Sequence, residues 1–154
     1  MKLGIVILLI LLSIIQVCAQ KSGELSDVDT RLVALVQEKL PDWNHETIEP
    51  MLNSPQVAIH RWTFRNKEIR VTIVDHGSIE VAKNGIRKFV VASHGIAESP
   101  DAGDEQYSTR DRGSIVLRKR HFTVNMNATA TDEKDEKKLL KEFARYIGSA
   151  IRDN

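Results

Sequence analysis

Three groups of side chains have the types and spacing to do chemistry. His60 lies in VAIHRWTF, Asp75-His76 closes the run EIRVTIVDH, and Arg118-Lys119-Arg120-His121 is the densest local charge. Histidine near a carboxylate can move a proton, and strand ends are places where enzymes hold such groups. His60, Asp75 and His76 are therefore the candidate catalytic groups, those of a small extracytoplasmic hydrolase. An Asp-His pair that ends a strand and starts a turn also has a purely structural reading. No G-x-S-x-G nucleophile motif and no phosphate-binding glycine loop accompanies them. The five histidines, His45, His60, His76, His94 and His121, form no H-E-x-x-H and no helical pair four residues apart, so no metal and no cofactor is implied. Gly103-Asp104-Glu105, with Asp101 nearby, offers oxygens to calcium but lacks a calcium-loop pattern. It reads as a turn with Gly103 at positive φ and Asp104 bonding its own backbone.

Arg118, Lys119, Arg120 and His121, joined by Arg110 and Arg112, are the candidate anion-binding residues. Such a patch would contact phosphates of lipid headgroups, polyanionic glycans or nucleic acid. The alternative is a solvated turn whose charges keep a sheet edge soluble. Phe122 is nearly the only aromatic beside this run, so stacking on single-stranded nucleic acid has little support. Asn127-Ala128-Thr129 is a glycosylation sequon, used only where the host glycosylates.

The N-terminus sets the expected compartment. Lys2 precedes the apolar run Gly4 to Ile15, and Val17 and Ala19 are spaced for cleavage between Ala19 and Gln20. The run is shorter than the roughly 20 apolar residues of a membrane span. Residues 1–19 are thus expected to be a signal peptide and 20–154 a single secreted or periplasmic domain, with membrane contact only if the first segment stays uncleaved. The chain has 22 Lys and Arg against 21 Asp and Glu. Lys2 is the one charged residue in the leader, so the mature part is neutral, which argues against bulk nucleic-acid binding. Cys18, the only cysteine, also lies in the leader, so the expected domain is free of disulfides and thiol nucleophiles. It must rest on an ordinary apolar core, for which 135 of the 154 residues remain.

The elements that would position these groups follow from periodicity. In SIEVAKNGIRKFV, Asn84-Gly85 is a hairpin signal, but folding there pairs Val81 with Lys88 and Glu80 with Phe89, leaving neither face apolar. Wound as a helix, Ile79, Ala82, Ile86, Phe89 and Val90 share a stripe about 100° wide. Glycine inside a helix costs about 1 kcal/mol, whereas burying Ile, Phe and Val returns about 1.5–3 kcal/mol each. A helix over 78–93 is expected, capped by Ser78 and stopped at Gly95. Ser26 to Leu40 reads as a helix with Ser26 and Asp29 as a capping pair and Pro41 ending it. Strands are expected over Val57–Phe64, Glu68–Asp75, Gln106–Arg110, Ser114–Arg118 and His121–Asn127. The last helix runs from about Asp132 to Ile151, with acids crowding its positive N-terminal end. Pro41 to Pro55 is long for a connection and reads either as a lid or binding loop, or as a segment packed down by Trp43, Ile48, Met51 and Leu52. The fold class is α+β: a mostly antiparallel sheet of 4–5 strands with helices packed on it, in the order α-β-β-α-(β)-β-β-α.

The strand IRVTIVD, the helix opening SIEVA, GDEQY at Gly103–Tyr107, the hairpin IVLRKRHFTVNM and a closing helix ending FARYI occur in this order. The run from Ile69 to Ile151 resembles a loose group of small exported bacterial proteins and lipoprotein-like domains of unassigned function. The resemblance implies this fold and an extracytoplasmic location, but no activity. Members often have Gly in the hairpin turn, where this chain has Arg120 or His121, for which positive φ is costly. The leading expectation is an exported, non-catalytic binding or interaction domain. Its ligand, a protein or an anionic molecule, would meet the sheet face beside Pro41–Pro55 or the basic hairpin. The hydrolase is the rival, and an envelope-associated protein contacting anionic surfaces is the third reading.

Overall fold

The computed structural model describes residues 23–50, 56–109 and 113–153. The leader with Ala19 and Gln20, and Met51, Leu52, Arg110 and Arg112, lie outside these residues. Helix α1 (23–39) leads into strand β1 (Asn44–Ile48), followed by β2 (Val57–Phe64), β3 (Lys67–Asp75), helix α2 (Ile79–Ser93), β4 (Ile96–Ala97), β5 (Glu105–Thr109), β6 (Ser114–Lys119), β7 (Phe122–Thr129) and α3 (Glu133–Ala150). The class is α+β as expected, but the antiparallel sheet has seven strands, in the order β1-β2-β3-β7-β6-β5-β4. The extra members are both edge strands. β1 lies within Pro41–Pro55 and pairs with β2 from Asn44↔Thr63 to Ile48↔Ile59, so residues 44–48 are a paired strand and not a free loop. β4 holds two residues, paired with β5. Neither carries the apolar alternation by which a half-buried strand is recognised.

Alternation along the strands sorts the sheet into two faces. One carries Trp62, Ile69, Val71, Ile73, Leu117, Phe122, Val124 and Met126, all buried. Against it pack Leu25, Val28, Leu32 and Val36 of α1 and Leu139, Leu140, Phe143 and Ile147 of α3. Phe143 touches Trp62, Trp43 and Tyr146 with ring centroids 5.3, 6.1 and 5.6 Å apart, so Trp43 fastens the start of β1 to this core. Asp132 caps α3 by accepting the Asp135 N–H at 2.8 Å. Ser26 does not cap α1. It lies inside the helix, and its carbonyl accepts the Thr30 hydroxyl at 2.8 Å.

The second face carries α2, packed on β6 and β7. Ala82 and Ile86 are buried there, Phe89 and Val90 are half-buried, and Ile79 stays 50% exposed. Ser78 accepts the Val81 N–H, and the helix ends on His94 at φ 51, one residue before the expected glycine stop. Gly85 sits inside this helix for a steric reason. A Cβ there would lie 3.1 Å from Cε1 of His76, whose Nε2 bonds Thr123 Oγ1 at 2.8 Å. Alanine at 85 gains about 1 kcal/mol of helix propensity but must push the imidazole off Thr123. Gly85→Ala alone is therefore expected to be neutral or destabilising, and in a His76→Ala background stabilising by about 1 kcal/mol. Urea midpoints of the four chains of this cycle measure the coupling; equal effects of G85A in both backgrounds would remove His76 as the cause.

Candidate functional site

The basic hairpin and the acidic turn identified in the sequence meet. β6 and β7 join through Arg120-His121, with Lys119 opposite Phe122. The Arg118 side chain turns back, only 5% of the residue remaining exposed. Its Nε donates to Glu105 Oε1 and its Nη1 to Asp104 Oδ2, each at 2.7 Å, and Nη1 also donates to the Arg120 carbonyl at 2.9 Å. Asp104 Oδ2 also accepts the Arg120 N–H at 2.8 Å, so Asp104 clamps the neighbouring turn and not its own backbone. This bond and the pairing of Arg120 Nη1 with Glu24 Oε1 at 2.6 Å hold Arg120 at φ 55, the positive value that is costly for arginine. Gly103 is not among the positive-φ residues. It is small because a Cβ would lie 2.6 Å from the Arg118 carbonyl oxygen, which accepts the Asp104 N–H. Lys119 donates to the Gly148 carbonyl at 2.9 Å and pairs with Asp153 at 3.2 Å. His121 Nε2 stands 3.3 Å from Glu24 and 3.6 Å from Asp75. All four residues of the run are thus engaged within the chain, and Arg110 and Arg112 lie outside the described residues.

The three candidate catalytic groups fall in separate places. His60, 1% exposed, faces the core, with Nε2 2.6 Å from Asp29 Oδ1 on α1 and Nδ1 3.0 Å from His45 Nε2 on β1. His45 and Trp62 lie against each other at 4.8 Å between centroids. Asp75 ends β3 on the same face, 3% exposed, and accepts the Gly77 N–H at 2.7 Å. His76, next in sequence, points to the opposite face and Thr123, as strand alternation requires. Burial pushes the His45 ring below the ordinary 6.5, and the His60 ring adds to this while Asp29 opposes it. Burial likewise depresses His76, against the pull of Asp75. Asn127 is exposed on β7, its Oδ1 accepting the Ser114 hydroxyl at 2.6 Å.

In the sequence Asp29 reads only as a capping residue and His45 only as one of five histidines, neither as a partner of His60. A signal for Asp29 existed: it occupies a place in the apolar stripe of Leu25, Val28, Leu32 and Val36, where a carboxylate needs a partner. His45 had none, since it pairs only through the unexpected β1.

Several clefts open among the described residues. One of about 720 Å³ lies between α3 and β4–β6, with Ile115 and Leu140 at its base and Glu98, Glu136 and Lys141 on its walls. Another of about 400 Å³ lies under the end of α2, beside Phe89, Ser93 and Asn125. A third of about 360 Å³ is polar, between Asp101, Asp104, Lys119 and Arg145. None of the three is lined by His60, Asp75 or His76. Among the described residues no group of three metal-ligating side chains converges, and no helix is long and apolar enough to cross a membrane. Compared with known proteins, the chain matches no family model, no curated protein and no solved structure.

Proposed function

We propose that the protein is an exported, non-catalytic interaction domain that meets a protein partner through the second face of its sheet, over β1 to β3. One observation carries this reading. Seven strands at about 4.8 Å span about 29 Å, and a helix about 10 Å across covers roughly a third of that width. Among the described residues the first face has two helices and the second only α2, over β6 and β7. Ile48, Val57, Ile59 and Val74 consequently stay half-buried on the open part. The dispersal of His60, Asp75 and His76 supports binding over the hydrolase reading, and the internal pairing of Arg118 to His121 favours the sheet face over the hairpin.

Capture of a partner by immobilised protein should survive about 0.5 M salt, where charge contacts are screened. It should fall at least tenfold for Ile59→Asp, with the far-ultraviolet circular dichroism unchanged. Capture that vanishes in salt, or is equal for I59D, contradicts the reading.

A further inference from the structure

Many cations elsewhere in the fold stand beside carboxylates, although Arg70, Lys141 and Arg145 have no such partner among the described residues. Arg118, Lys119 and Arg120 are paired, Lys137 bonds Glu133, and Lys134 and Lys138 act on Asp135. Helix α2 is different. Lys83, Arg87 and Lys88 have no partner among the described residues, and the one carboxylate of the helix is Glu80 in its first turn. The same helix holds the exposed apolar groups. The large hydrophobic residues left exposed in the described residues are Ile79 at 50%, Val81 at 52%, Val91 at 76% and Ile96 at 46%. Three of these belong to α2 and the fourth to the short strand that follows it. At 100° per residue, Arg87, Val91, Lys88 and Val81 all fall on the side opposite buried Ala82 and Ile86.

Cations interleaved with apolar side chains along one outward face are the composition that lies flat in a headgroup layer. We propose that the outer face of α2 seats the protein on an anionic lipid surface, a deepening that rests on the exported reading above. The cations recognise phosphate, a chemistry that a soluble polyanion shares. The valines choose between the two, because a lipid interface takes up apolar side chains and a hydrated polyanion does not. The hairpin of Arg118 to His121 is not this surface, since its charges are already neutralised within the fold.

The test uses the processed chain, its start at Gln20 verified by intact mass, with phosphatidylcholine vesicles with or without phosphatidylglycerol. Co-sedimentation is expected with the anionic vesicles only and should be lost at about 0.5 M salt. The triple variant Lys83→Glu, Arg87→Glu, Lys88→Glu should partition at least about tenfold more weakly, and Val91→Asp should also weaken it. Arg87, Lys88 and Val91 are exposed and Lys83 is half-buried at the flank of the helix, so folding is expected to be unchanged and circular dichroism confirms it. Equal binding by the triple variant, equal binding to neutral vesicles, or dextran sulfate binding that matches the vesicles and ignores V91D would each overturn the lipid surface. An intact mass that retains Met1 would instead count against export, leaving the comparison between variants readable.

Discussion

Replacing Arg118 with alanine is expected to lower the unfolding free energy by about 3 kcal/mol, the low end of the range for breaking a buried ion pair. The guanidinium is the common partner of Asp104, Glu105 and the Arg120 carbonyl. Its loss removes the donor to Glu105 Oε1 and to the Arg120 carbonyl, leaves Asp104 Oδ2 only the Arg120 N–H, and weakens the anchor of the chain between β4 and β5 to the β6–β7 turn. The low end applies because the Asp104 side chain is 44% exposed and can hydrate once released. Arg118→Lys keeps the charge but not the planar fork, so it should recover less than half of the loss. Urea denaturation of the three chains at neutral pH decides this. An alanine variant within 1 kcal/mol of the parent would mean that the cradle is ornamental.

His60→Ala is expected to cost about 2–3 kcal/mol, from the cavity beside Trp62 and from the stranded Asp29 carboxylate. The parent should also weaken on mild acidification. The 3.0 Å contact between His45 Nε2 and His60 Nδ1 requires that one ring nitrogen accept, so both rings cannot be protonated while it stands. With His45 depressed below 6.5, the unfolded chain binds more protons than the native one as pH falls below about 6.5. Stability is therefore full above that pH and declines below it, down to the depressed native value. His76 contributes in the same direction. Urea midpoints at pH 7.5 and 5.5 should fall on acidification in the parent and fall less in His45→Gln. A midpoint that rises at pH 5.5 would reverse the assigned sign.

What could be read from the sequence follows the range of the forces involved. The wager on α2 rested on Ile79, Ala82, Ile86, Phe89 and Val90 lying within little more than three turns, and the helix is there. The terminal helix and the central strands were equally local readings, correct to within a residue or two. β1 escaped because NHETI is a polar edge strand, held by its ladder to β2 and by Trp43 rather than by its own pattern. The run Arg118 to His121 was read as a patch for a related reason. Its charge is contiguous in sequence, but its neutralising groups are Asp104 and Glu105 on another segment and Glu24 on α1. Likewise His60 was visible, whereas its partners come from a helix and a strand that only the folded sheet brings together.

Gly148 on α3 lies so close to the backbone of residue 102 that a Cβ would sit 2.4 Å from the Ala102 carbonyl oxygen. Gly103, the next residue, presses in turn against the Arg118 carbonyl, so the segment of residues 102 and 103 is threaded between α3 and β6 with no room for a side chain at position 148 or 103. These two glycines, the acids 104 and 105 and the arginine 118 therefore form a sparse fingerprint that a distant relative would have to keep or lose as a set. Such a five-position pattern can recognise kinship where overall similarity has faded.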